Sequence, residues 1–187
     1  MRTVSQRDML VKSFVFVPVF LITIALGGYA SAELLAEGTA APDFTLKNQD
    51  GKDVTLSQEF KKGHVVLYFY PKDSTPGCTK EACSFRDLSE EFRREGASIF
   101  GINTDSVESH KKFHEKQKLT FSLLADPDAA VTKRYGAIGL FKFARRVTYL
   151  IDSSGTIRKA YPDVDVSSHA AELLQAVREL NAKNAKP

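Results

Sequence analysis

Sulfur is scarce in this chain of 187 residues, which holds two cysteines, Cys78 and Cys83, and two methionines. The cysteines stand five apart, so no Cys-x-x-Cys pair exists, and a thiol–disulfide exchange protein is disfavoured. A long apolar run is missing as well. The stretch Phe14 to Leu26 has 13 residues and contains Pro18, short of the roughly 20 that cross a bilayer. Neither charge sign dominates: 26 Lys and Arg face 23 Asp and Glu, for a net charge of +3. No basic patch argues for nucleic acid. No Gly-rich phosphate loop and no Ser/His/Asp arrangement stands out, so nothing points to a nucleotide site or a serine hydrolase. There is no internal repeat, and the only biased stretch is the polar tail Asn181 to Pro187.

What the N-terminus does have is the layout of a secretory signal peptide. Arg2, Arg7 and Lys12 form a positive n-region, the apolar run follows, and Tyr29-Ala30-Ser31-Ala32 ends in an Ala-x-Ala pattern. An uncleaved membrane anchor is the alternative; a serine-rich amphipathic transit peptide is not what these residues spell. Export to the periplasm is therefore expected. Residues 33–187 then form one domain, long enough to build a core without disulfide staples. The leader carries three cations and one anion (Asp8), so the remainder is close to neutral.

Hydrophobic patterning predicts an α/β chain. Pro42 to Leu46 and Asp53 to Leu56 alternate around Asn48-Gln49-Asp50-Gly51, a hairpin signal. Val65 to Tyr70 is nearly continuous in apolar residues, as in a strand buried on both faces. A helix is expected from Pro76 to about Arg94, then a strand over Ala97 to Asn103 and a helix over Val107 to Lys118. A short strand (Phe121 to Leu124) and a helix (Pro127 to Tyr135) follow. A second hairpin, Arg146 to Asp152 with Thr156 to Tyr161, precedes a closing helix from Ser168 to Leu180. The pattern implies a mixed central sheet flanked by helices on both faces. Lys61-Lys62 and the stretch His110 to Lys118 read as solvated faces. His110 and His114 share one side of a helix, but two imidazoles without a third ligand do not make a metal site.

The chemistry concentrates around Cys78. Thr75 has an N-cap side chain and Pro76 suits the next position, so Cys78 falls in the first helical turn. Unpaired backbone N–H groups and the helix dipole there favour a thiolate. At about 100° per residue, Ala82, Phe85, Leu88 and Phe92 form one stripe with Cys78 at its edge, whereas Cys83 falls on the water side with Lys80, Asp87 and Arg94. Residues five apart on a helix have Cα atoms about 8–9 Å apart, beyond the roughly 7 Å a disulfide spans. The two sulfurs can join only if the helix unwinds, which makes a poor staple and a plausible catalytic intermediate. Glu81 reads as a carboxylate stabilised at the helix start rather than as a proton relay.

The block Tyr68 to Asp87 resembles the active-site segment of the peroxiredoxins of the Q type, also called bacterioferritin comigratory proteins, with weaker similarity over Gly38 to Leu180. The family pattern Pro-x-x-x-Thr-x-x-Cys is met by Pro71, Thr75 and Cys78. The resemblance implies a thioredoxin-like fold and a thiol-dependent peroxidase acting on hydrogen peroxide and organic hydroperoxides, with no metal, haem, flavin or other cofactor. It implies that Cys78 is the peroxidatic cysteine, oxidised to a sulfenic acid, and that Cys83 is the resolving cysteine that closes an intramolecular disulfide. By the same resemblance Thr75 contacts the bound peroxide and Pro71 shields the thiolate. An arginine at the start of the strand ending Leu150-Ile151-Asp152 completes the site: Arg146, with Arg145 as the alternative. A thioredoxin-like dithiol protein or a small thiol would re-reduce a monomeric enzyme, in antioxidant defence and redox homeostasis. Between Gly136 and Arg146 the chain is shorter than in many Q-type members, which leaves Phe141 and Phe143 either to line the pocket mouth or simply to pack. A redox sensor or holdase using the same cysteines is the non-enzymatic alternative.

Overall fold

The computed structural model describes residues 33–184; the leader, with its expected cleavage pattern, lies outside the described residues. Among them seven strands form one mixed sheet, in the order β2-β1-β5-β4-β3-β6-β7. The strands are β1 (Thr45–Asn48), β2 (Asp53–Thr55), β3 (His64–Phe69), β4 (Ala97–Asn103), β5 (Ser122–Ala125), β6 (Val147–Ile151) and β7 (Ile157–Tyr161). The helices are α1 (Leu56–Glu59), α2 (Pro76–Asp87), α3 (Ser89–Arg94), α4 (Val107–Gln117), α5 (Ala130–Arg134) and α6 (His169–Asn184). Central β3 runs parallel to β4 and antiparallel to β6, and all six of its residues are buried.

Period-2 alternation along β3 divides the core. Val66, Tyr68 and Tyr70 join Ala82, Phe85, Phe92, Phe113, Leu173 and Val177 on the face covered by α2, α3, α4 and α6. Val65, Leu67 and Phe69 join Phe44, Phe100, Val131, Tyr135 and Tyr149 on the other face, over α1 and α5. Both predicted hairpins are present. Asn48 Oδ1 accepts from the N–H groups of Asp50 and Lys52 in the first turn, and Asp152 Oδ1 accepts from those of Ser154 and Thr156 in the second.

Three expectations differ from the fold. The cysteine helix does not run unbroken to Arg94: it breaks at Leu88 (φ −100°, ψ 2°) into α2 and α3. Ser89 Oγ donates to the Arg86 carbonyl at 2.7 Å, a local side-chain bond that competes with the helical ladder. Leu56 opens a short helix instead of ending a strand. The face of α4 carrying His110 is not solvated, because His110 and Phe113 are buried. With so few apolar residues on α4, the inward stripe is marked by a polar side chain, which sequence patterning assigns to water.

Phe85 locks α2 to the sheet. It is fully buried, its ring stacks on Tyr68 with centroids 4.8 Å apart, and Phe92, Phe121 and His169 pack around it. Phe85→Ala is expected to destabilise the fold by about 3–5 kcal/mol, measured as a lower urea midpoint with unchanged slope.

Candidate active site

The loop after β3 delivers the sequence motif to one end of the sheet. Tyr70 makes the last ladder bond, its N–H to the Ile102 carbonyl at 3.1 Å, and half-buried Pro71, which lacks an N–H, ends the pairing. Thr75 occupies the N-cap position of α2 in extended geometry (φ −78°, ψ 151°), and Pro76 follows as the first helical residue. The expected side-chain cap is not made. Thr75 Oγ1 donates to the Lys72 carbonyl at 3.2 Å, so the first-turn N–H groups of Gly77 and Cys78 are left without a capping oxygen.

Cys78 is 1% exposed and is a free thiol. Arg146, the residue just before β6, reaches it: Nη2 lies 3.2 Å from Sγ. Strand pairing explains the approach. Phe69 sits opposite Val147, so Arg146 emerges beside the point where β3 ends and the motif loop begins. Glycine at position 77 leaves room for the contact, because a Cβ there would stand 2.9 Å from Arg146 Nη2 and the guanidinium would have to shift. Arg145 points elsewhere, with its Nη2 donating to the Gly136 carbonyl at 2.6 Å.

Glu81, read from the sequence as a simple helix-start carboxylate, is instead part of this cluster. It lies one turn after Cys78, is 1% exposed, and its Oε2 accepts from Arg146 Nη1. One guanidinium thus bridges a carboxylate and a sulfur through its two terminal nitrogens. Burial pushes the Glu81 carboxyl up to about 7, with Arg146 pulling the other way. Tyr68 Oη is buried nearby without a hydrogen-bond partner among the described residues. Burial, reinforced by Glu81 and Cys78, holds that phenol well above its ordinary value and therefore neutral.

Cys83 does not face open water as its helical angle suggested. It is half-buried, with its thiol 3.7 Å from Gln117 Oε1 at the end of α4 and Arg86 Nη1 donating to its sulfur at 3.5 Å. Arg86 also donates to the Gln117 carbonyl at 2.7 Å. Both sulfurs thus belong to one short helix, on different sides. Of the two phenylalanines near the arginine in sequence, both are exposed; the Phe143 ring lies 5.6 Å beneath Lys72 Nζ.

Chemically, the arrangement offers a buried thiol at a helix start, a cation against it, free backbone donors and a second thiol in the same helix. Comparison with known proteins identifies the family. The AhpC/TSA family model matches residues 38–160. A chloroplastic peroxiredoxin Q of Oryza sativa subsp. japonica is 44% identical over 149 residues, covering 78% of this chain and 68% of the relative. The crystal structure of peroxidoxin BcpB from Mycobacterium tuberculosis superposes with a TM-score of 0.73 at 37% identity, covering 78% of this chain and 97% of the other. The bacterioferritin comigratory protein of Xanthomonas campestris, solved to explain its alkyl peroxide reduction, gives 0.69 at 35% identity, with 73% and 90% covered. The mixed sheet is accordingly the thioredoxin-like sheet of these proteins, and the chain belongs to the AhpC/TSA family and, within it, to the Q-type peroxiredoxins.

Proposed function

We propose that Cys78 is the attacking sulfur of this thiol peroxidase and Cys83 the resolving one. The observation that carries the reading is the contact between Arg146 Nη2 and the Cys78 sulfur at the opening of α2. A cation fixed against a nucleophile, in a site closed to bulk water, stabilises charge moving through sulfur and peroxide without reorganising. The Cys78 thiolate attacks the terminal peroxide oxygen; an S–O bond forms, the O–O bond breaks, and the departing oxygen takes a proton to become water or an alcohol. Arg146 and the N–H groups of Gly77 and Cys78 receive the developing oxyanion. Thr75 spends its own proton on the Lys72 carbonyl, so its oxygen is free to accept the peroxide O–H and aim the O–O bond at sulfur. Pro71 closes the site on the loop side.

Oxidised Cys78 is then a sulfenic acid, and condensation with the Cys83 thiol forms the S–S bond and releases water. That step requires the first turns of α2 to unwind. A thioredoxin-like dithiol protein, or a small thiol, supplies two electrons and two protons to restore both cysteines. Two partner thiols five residues apart in one chain support a monomeric enzyme. The basic, apolar and Ala-x-Ala segments of residues 1–32 support export to the periplasm as a soluble antioxidant enzyme, with an uncleaved anchor as the alternative. No helix among the described residues is long and apolar enough to cross a membrane. Organic hydroperoxides join hydrogen peroxide as substrates by analogy with the alkyl peroxide reduction attributed to the Xanthomonas relative.

Peroxide consumption with dithiothreitol tests the assignment. Cys78→Ser should fall to background, and retained turnover would reject it. Cys83→Ser should keep the first oxidation, accumulate a sulfenic acid visible by mass spectrometry, and recycle only with added small thiol. Glu81 acts through Arg146 as a positioning residue. Glu81→Ala should slow Cys78 oxidation by roughly tenfold, the value of about one hydrogen bond to a charged group. Its folded-state value of about 7 lies above the ordinary 4.5, so the stability it contributes is complete below about pH 4.5 and disappears as pH rises through 7. In Glu81→Gln the difference in urea stability between pH 5 and pH 8 should therefore shrink.

A further inference from the structure

A second polar cluster, which the reaction just described does not use, lies under the motif loop. Asp73 is 7% exposed and its carboxylate accepts four hydrogen bonds. Oδ1 takes the Tyr70 hydroxyl at 2.7 Å and Asn103 Nδ2 at 3.2 Å. Oδ2 takes the Ser109 hydroxyl at 2.7 Å and lies 2.9 Å from Nδ1 of fully buried His110. The Asp73 N–H donates in turn to Asp105 Oδ2 at 2.8 Å, beyond the end of β4. Burial opposes ionisation of this carboxyl, but the bonds from His110, Ser109 and Tyr70 prevail and hold it below the ordinary carboxylate range. The next residue, Ser74, is a non-glycine in left-handed geometry at φ 59°. Such a conformation persists only where its surroundings impose it.

The same helix serves both cysteines from its two ends. Ser109 and His110, in the first turn of α4, grip Asp73, five residues before Cys78. Gln117, its last residue, holds the Cys83 thiol and the Arg86 side chain. The loop, left-handed at Ser74, is tied by this one carboxylate to α4. In the tied condition Thr75, Pro76 and the first turn of α2 stand where the Arg146 contact needs them. Disulfide formation needs that same turn to unwind, and therefore to pull against the tie.

We propose that Asp73, gripped by Ser109 and His110, is a positioning latch that favours attack on peroxide and delays the unwinding that lets Cys78 meet Cys83. The latch lengthens the life of the sulfenic acid. During that life a second peroxide can insert an oxygen, giving the sulfinic acid and another molecule of water or alcohol. Loosening the latch thus trades speed of oxidation for speed of disulfide closure. The proposal rests on the assignment of Cys78 and Cys83 above.

Rapid mixing of the reduced full-length protein with hydrogen peroxide, followed by thiol trapping and mass spectrometry, separates the two steps. In Asp73→Asn the oxidation of Cys78 should slow by roughly tenfold, the effect of losing charged acceptance of one hydrogen bond. Disulfide closure should become faster, and the sulfinic fraction at excess peroxide should drop. Ser109→Ala, which removes one donor from a half-buried position, should shift both rates in the same directions by a smaller factor and remain folded. His110→Asn, whose amide can donate in place of Nδ1, should restore behaviour that His110→Leu loses. Unchanged rates for both steps in folded Asp73→Asn and Ser109→Ala would overturn the latch. So would a parallel fall in both steps, which is what general loosening of the fold produces. If the unsubstituted protein itself leaves Cys78 unoxidised, the assignment of the cysteines fails instead, and the two failures are told apart.

Discussion

One guanidinium ties together the buried cluster at the start of α2. Arg146 lies against the sulfur of Cys78 and the carboxylate of Glu81 at once, and nothing in its own neighbourhood of sequence prepares it for that task. Its placement follows from the sheet. The antiparallel register of β3 and β6 sets Val147 opposite Phe69, which brings the preceding residue to the spot where the motif loop departs. Glycine at 77 clears the last obstacle. A shift of one position in that register would turn the arginine to the opposite face. The Cys78–Arg146–Glu81 cluster therefore inherits its accuracy from six buried residues of β3 and their partners on β6 rather than from the loop itself.

The interior chemistry is finely divided between groups that carry charge and groups that withhold it. Tyr68 stays neutral under the site because burial forbids a phenolate, and Glu81 stands near its midpoint at neutral pH because burial and Arg146 oppose each other. Asp73, a few residues away, is driven the other way by its bonds from His110, Ser109 and Tyr70. Buried polar groups with partners of this kind rigidify the loop that leads into Cys78, whereas unpaired ones would be costly. The segment from Tyr70 to Glu81 is held from three sides: β4 through Asp105, α4 through Asp73, and β6 through Arg146.

Much of this was legible in the residues. The unbroken apolar run of β3, the turn residues of both hairpins and the Thr75-Pro76 helix start are local signals, and local signals survive translation into structure. The Q-type resemblance supplied what local signals lack, the distant arginine above all. The remainder was hidden for physical reasons. The partner of Glu81 lies 65 residues further along the chain, so no window of sequence contains both. His110 looked like a surface histidine because α4 has too few apolar residues to declare an inner face, and the Asp73 carboxylate that makes its burial tolerable comes from another element. The break at Leu88 carries no glycine or proline to announce it; a serine hydroxyl turned onto the Arg86 carbonyl accompanies it. The Thr75 hydroxyl turned backward to Lys72 for a similar reason, since short polar side chains choose among several backbone groups within reach.

The break at Leu88 has a mechanical meaning. Because α2 ends there, its hydrogen-bond ladder is separate from that of α3, and α3 in turn is fastened to α6 by the pairing of Arg178 with Glu91 and Glu95. The cysteine segment is therefore a separate helix of 12 residues. Phe85, wedged against Tyr68, acts as a doorstop on its far side. Under the proposed disulfide step, this layout lets the cysteine segment rearrange while the rest of the sheet and its closing helix keep their shape, much as a hinge pin spares the door frame.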